Sequence, residues 1–193
     1  MGRFLLGVVV GILLVAGGAF FYFTTGMAPA AATAAPMPFE KFFAGADLHA
    51  RIRREAPKAA PPQIPATPEN LLAGAMIYKK NCAFCHGLPN SKSSEEGHGM
   101  YPHAPQLFTP RGMVTDDPPG ITYWKVRNGI RLTGMPSFGA SLTYQQMWKV
   151  SLLLRKADKL PPKVSAALAP TPAAGSAEQA GPMASPKSTR SDP

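Results

Sequence analysis

The sequence predicts an all-α domain carried behind an apolar N-terminal helix. Three observations predict it. Phe4 to Phe23 is unbroken apolar sequence, about the twenty residues a helix needs to cross a bilayer. Helix start and stop signals punctuate the middle of the chain, at Thr67-Pro68, Gly129 and Thr143. Between them lie Gly- and Pro-rich loops with no convincing strand pattern. Such a domain is small for its core unless a cofactor fills it.

The elements follow in order. Only Arg3 precedes the apolar run, and Lys and Arg do not return until Lys41. The positive-inside rule then puts the N-terminus in the cytoplasm and the rest outside. Residues 1–25 are read as a transmembrane anchor. The competing reading is a cleaved signal peptide, with small-residue sites at Ala28-Pro29-Ala30 and Thr33-Ala34-Ala35. Residues 26–65 read as an Ala/Pro-rich linker. Within it, 39–55 has the pattern of a short amphipathic helix, with Phe42, Phe43, Leu48 and Ile52 apolar and Arg51, Arg53 and Arg54 charged. It either packs on the domain, lies on the membrane, or has no partner.

Residues 66–161 form the predicted domain. Thr67 is an N-cap with Pro68 at the first helical position. Leu71, Ala75, Tyr78 and Cys82 then share one face, with Gly74 on the next stripe. A second helix is expected over Ile121–Asn128, ended by Gly129 as a left-handed cap. A third begins at Thr143, with Gln146 three residues on as a capping box. Met147, Val150, Ser151 and Leu154 form one face of it, and Tyr144, Trp148 and Leu152 the neighbouring one. Residues 162–193 are Pro, Ala and Ser with few large apolar side chains, and are expected to be disordered.

Composition narrows the function. The chain has 193 residues, 22 of them proline, and only two cysteines, so a disulfide framework is excluded unless the pair bridges itself. The net charge of +9 falls mostly on residues 66–162 and favours acidic protein partners or an anionic membrane surface. It is spread rather than clustered, which argues against nucleic acid.

Both cysteines lie in Cys82-Ala83-Phe84-Cys85-His86, a C-x-x-C-H run. This is the attachment signal for c-type haem. Its two thiols can form thioethers to the two vinyl groups of one haem, and the following imidazole can bind the iron. A redox dithiol would want a βαβ setting, which this chain does not show. The longer spacing Cys82-x2-Cys85-x12-His98-x4-His103 also fits a zinc finger. However, the twelve-residue gap is polar and broken by Gly87, Pro89 and Gly97, and Pro102 directly precedes His103. Haem is the reading adopted.

An electron-transfer haem needs a second axial ligand. Met76 and Met147 sit within helices and read as core filler. Met100 follows His86 closely, in a segment that must first turn around the haem edge. Met113 sits in a loop after Arg111-Gly112. Met135 sits in Gly134-Met135-Pro136, far enough downstream for the chain to wrap to the opposite face, and is the expected ligand. His98 and His103 remain as a bis-histidine alternative.

The run Asn81-Cys82-Ala83-Phe84-Cys85-His86-Gly87, then Asn128-Gly129-Ile130 and Gly134-Met135-Pro136-Ser137-Phe138, then a helix with Trp148 and Leu152, resembles class I c-type cytochromes. In particular it is similar to membrane-anchored bacterial monohaem cytochromes related to the cytochrome c subunits of oxidases and dehydrogenases. The resemblance covers residues 68–161. It implies a class I cytochrome c fold, three to five helices around one covalent haem c. It implies an N-terminal helix crossing the C-terminal one at the small-then-aromatic pair Gly74 and Tyr78. It also implies a proline carbonyl that accepts the proximal histidine N–H, for which Pro105 is the candidate. The segment from Leu88 to Ala104 departs from the family pattern and has no assigned place.

The expected function is electron transfer, not catalysis by this chain. The haem domain is expected on the periplasmic side of a bacterial inner membrane, single-pass, with respiratory membrane complexes as redox partners. Lys79, Lys80, Lys125, Arg127 and Arg131 are candidates for steering acidic partners. Two other readings stand beside the free carrier: an electron-transfer subunit of a larger oxidase or periplasmic dehydrogenase, and a gas or redox sensor in which Met135 leaves the iron.

Overall fold

The computed structural model describes residues 1–61, 63–109 and 113–170, with the backbone alone at Met113. Those residues are helical and loop, with no strand among them. Among the described residues nine helices follow in order: α1 (Gly2–Thr24), α2 (Glu40–Glu55), α3 (Pro68–Asn81), α4 (Ala83–His86), α5 (Glu95–Gly99), α6 (Met113–Asp116), α7 (Pro119–Asn128), α8 (Tyr144–Arg155) and α9 (Pro162–Leu168).

The cap signals act as chemistry requires. The Thr67 side chain accepts from the Asn70 N–H at 3.3 Å, and Pro68 gives up no needed donor. α7 begins two residues before the expected Ile121, because Pro119 is already suited to a first turn, and ends at Gly129 with φ 69°. At α8 the Thr143 and Gln146 side chains each cap the other's backbone N–H.

α3, α7, α8 and α9 make the core. α3 crosses α8 at Gly74, where a Cβ would overlap the Lys149 carbonyl; only the missing side chain lets the two backbones approach so closely. One turn on, the Tyr78 hydroxyl donates to the Gly87 carbonyl at 2.8 Å, and its ring meets Phe108 edge-on at 5.0 Å. Trp148 stacks on Tyr123 at 4.4 Å, so α7 and α8 are joined through aromatic faces. Met147 is buried as core filler, but Met76 is 59% exposed, since it lies on the outer face of α3.

The domain is larger at both ends than the expected 66–161. The first correction concerns the tail. Residues 162–168 form α9, not disordered chain, and Val164 and Leu168 are 1% and 0% exposed in the core cluster. Two large apolar residues four apart suffice to bury a short helix of about two turns against α3. Residues 171–193 of the expected tail lie outside the described residues. The second correction concerns the linker. Ile52 and Ile64 are buried, Glu55 accepts from the Trp124 indole N–H at 3.1 Å, and the Pro57 carbonyl rests on Gly120. Its second half is therefore a strap docked on α7.

α1 has no buried residue and is long and apolar enough to cross a membrane. That composition suits a membrane anchor or a signal sequence.

Candidate haem site

The haem motif sits where two helices meet. α3 ends at Asn81, Cys82 turns the chain, and α4 carries Ala83, Phe84, Cys85 and His86. Gly87, at φ 73°, stops α4. Its backbone lies so close to Lys92 that a Cβ would overlap the Lys92 carbonyl. The motif is thereby held on the end of a packed helix rather than in a free loop.

A cavity of about 220 Å³ opens beside it. Cys82, Cys85 and His86 line one wall, and Met135 stands on the cavity as well. The remaining lining is mostly apolar, including Leu107, Val114, Phe138, Val150 and Leu154. The two thiols of Cys82 and Cys85, the His86 imidazole and the Met135 thioether, on a mostly apolar cavity, include a donor set that fits haem c.

His86 is oriented by one contact. Its Nδ1 lies 2.7 Å from the Pro105 carbonyl oxygen, which can only accept. Nδ1 therefore carries the proton, and Nε2 is left with the lone pair a metal requires. Burial lowers the imidazole's pKa and so favours the neutral ring, while the bond to Pro105 opposes this. Burial, with the neighbouring Cys85 thiol second, pushes the Cys82 thiol up to about 12.

The loop that carries Met135 is tied on both sides. Ile130 N–H donates to the Met135 carbonyl at 3.2 Å, and Met135 N–H donates to the Thr133 hydroxyl at 3.1 Å. Phe138 and Gly139 then donate to the carbonyls of Val126 and Arg127, closing the loop onto the end of α7. Gly129 is the pivot: a Cβ there would come within 3 Å of the backbone of Met135, Pro136 and Ser137.

The segment Leu88–Ala104, unassigned from sequence, is a flap over this site. α5 packs on α4 so closely that a Cβ on Gly97 would overlap the Cys85 carbonyl. Ala104 N–H donates to the Gly97 carbonyl at 2.9 Å. The Gln106 amide donates to the carbonyls of Leu88 and Ser91, which closes the base of the flap. From this flap Met100, Pro102, His103 and Ala104 reach the cavity, and the Met100 thioether lies against Gly134. No sequence pattern gives this placement, because it depends on where the loop returns. The signals in reach were Ser94 as an N-cap and Gln106 beside Pro105.

The other candidates separate. His98 and His103 face each other at 5.8 Å, but no group of three or more His, Cys, Asp or Glu is placed to share a metal ion among the described residues. The finger spacing is thus not drawn together. The Met113 side chain lies outside the described residues. Of the basic candidates, Lys80, Arg127 and Arg131 are exposed. Lys125 lies on the cavity and pairs with Asp117 at 3.9 Å, while Lys79 donates to the Ala169 carbonyl at 3.1 Å.

An all-helical domain with a C-x-x-C-H helix end, a tied histidine and an apolar cavity defines a class I c-type cytochrome. Residues 69–152 match the family described as cytochrome C oxidase, cbb3-type, subunit III. A search of curated proteins finds no match for the chain. The domain is a haem-based electron carrier, and its class implies covalently bound haem c and redox protein partners.

Proposed function

We propose that this chain is a membrane-tethered electron carrier with one haem c, bonded to Cys82 and Cys85 and ligated by His86 and Met135. The observation that carries the reading is the pairing of the His86–Pro105 contact with Met135 on the same cavity. When bound, the haem supplies a one-electron couple, and a His/Met pair raises its potential relative to bis-histidine ligation. The chain's own residues hold the site still. Pro105 fixes the imidazole plane, and Gly129 and Thr133 fix the loop that presents Met135. α1 acts as the anchor, with Arg3 keeping its N-terminus in the cytoplasm and the domain in the periplasm.

Spectra of the purified holoprotein test the ligands. Met135→Ala is expected to lose the weak red charge-transfer band of Met–Fe(III) haem and to gain carbon monoxide binding when reduced. Loss of that band in Met100→Ala or Met113→Ala, with Met135→Ala unaffected, overturns the assignment. Carbon monoxide binding by the unaltered reduced protein at neutral pH would instead support a sensor.

A subunit role in a larger respiratory complex is favoured over a free carrier by the docked strap. An undocked linker of about forty residues would have a root-mean-square reach of roughly 35 Å. With Ile52, Glu55, Pro57 and Ile64 held on the domain, about fifteen residues remain between α1 and α2, reaching roughly 20 Å. The family match, whose description names an oxidase subunit, points the same way. A stable stoichiometric complex in mild detergent is the expected outcome, and isolation of the chain alone would return the reading to a free carrier.

A further inference from the structure

α2 has two unlike sides. Ile52 is buried, Gly45 and Leu48 are half-buried, and the Trp124–Glu55 contact fastens the C-terminal end to α7. Its N-cap and first turn do the opposite. Phe39, Phe42 and Phe43 are 74%, 68% and 67% exposed, and the last two rings meet edge-on at 5.3 Å. Among the described residues nothing covers these three neighbouring phenylalanines, and leaving each in water is costly.

Chain length says what covers them. Thr24 ends the bilayer-length helix, and Phe39 follows about fifteen residues later, at most about 50 Å away even if fully extended. The intervening chain is not extended: Ala34 N–H donates to Ala31, and Glu40 N–H to Met37. An aromatic cluster leaving a membrane helix at this distance meets the headgroup layer first. Lys41 within the cluster, with Arg53 and Arg54 exposed further along, suits anionic phosphate.

We infer that the start of α2 lies in the lipid interface, with Phe39, Phe42 and Phe43 inserted below the phosphates, so that the haem domain is held against the bilayer in one orientation. The inference rests on the reading of α1 as an anchor. Its consequence is that α2 sets which face of the domain looks along the membrane toward integral redox partners.

The test uses the full holoprotein in phosphatidylethanolamine–phosphatidylglycerol vesicles, reduced so that low-spin iron is diamagnetic. Nitroxide labels are placed at Phe42→Cys, at Val9→Cys within α1, and at Lys159→Cys, whose side chain is exposed. Collision with oxygen reports lipid, and collision with a water-soluble nickel chelate reports solvent. The Phe42 label is expected to meet oxygen readily and the chelate several-fold less than the Lys159 label does. High chelate access at Phe42 with the Val9 label deep in lipid overturns the inference and leaves the anchor standing. Low access to both probes at Phe42 means a protein contact, and also overturns it. A Val9 label open to the chelate overturns the anchor reading itself. Phe43→Cys repeats the measurement one position on, so that failure of one variant to fold decides nothing.

Discussion

Gly129 and Gly134 flank the same loop, yet they answer to different neighbours. Gly129 has φ 69°, and the atoms around its absent Cβ are backbone: Ser137 N at 2.7 Å, Pro136 C at 2.8 Å and Met135 O at 2.9 Å. A side chain there meets a strained φ and neighbours that cannot rotate away. Each costs on the order of 1–2 kcal/mol. At Gly134 the facing group is the Met100 thioether, the far end of a flexible side chain. Gly129→Ala is therefore expected to lower Tm more than Gly134→Ala and to weaken the red Met–Fe(III) band as its loop is displaced. Thermal unfolding of both holoproteins checks this, and equal loss in the two variants would contradict it. At this scale much was legible in the sequence. The residues that face the cavity from the haem motif and the Met135 loop stand in fixed local patterns. Met100 and His103 do not, because their approach depends on a flap whose base is closed by Gln106 across distant sequence.

Among elements, the three long domain helices could be read because each carries its own start or stop. Thr67-Pro68, Gly129 and the Thr143–Gln146 box act through local hydrogen bonds, so sequence alone reports them. α9 carries only Pro161 as its N-cap, Pro162 at its first position and two large apolar residues within it. Its stability comes from α3 rather than from propensity, which a composition reading cannot see. The same physics makes α9 sensitive to a single truncation. Leu168 is fully buried in the core cluster, and Leu168→Ala is expected to cost about 2–5 kcal/mol. Urea unfolding followed by circular dichroism measures it. A cost below about 1 kcal/mol would mean that α9 is peripheral to the fold.

For the whole molecule, on the proposed reading of α1 as an anchor, the docked strap decides how far the haem domain can travel from α1. The strap's tightest point is Gly120, where the Pro57 carbonyl, carbon and Cα are the three nearest atoms to an added Cβ. All are backbone, so Gly120→Ala cannot be absorbed by a rotamer change. The cheapest response is for the strap to lift from α7, since Pro57 belongs to a loop while Gly120 is held in the first turn of a helix. Lifting also frees Glu55 from Trp124. The tether then lengthens toward the roughly 35 Å reach of an undocked linker. Trypsin gives the first readout: Arg53, Arg54 and Lys58 are exposed in and beside the strap, and cleavage there should quicken as the backbone becomes free to enter a protease. The haem spectrum should not change, because neither Gly120 nor Pro57 lines the cavity. Association with a partner complex should weaken if orientation matters and persist if only proximity does. Unchanged trypsin sensitivity in Gly120→Ala would show that the strap does not depend on this contact, and that the short reach has another cause.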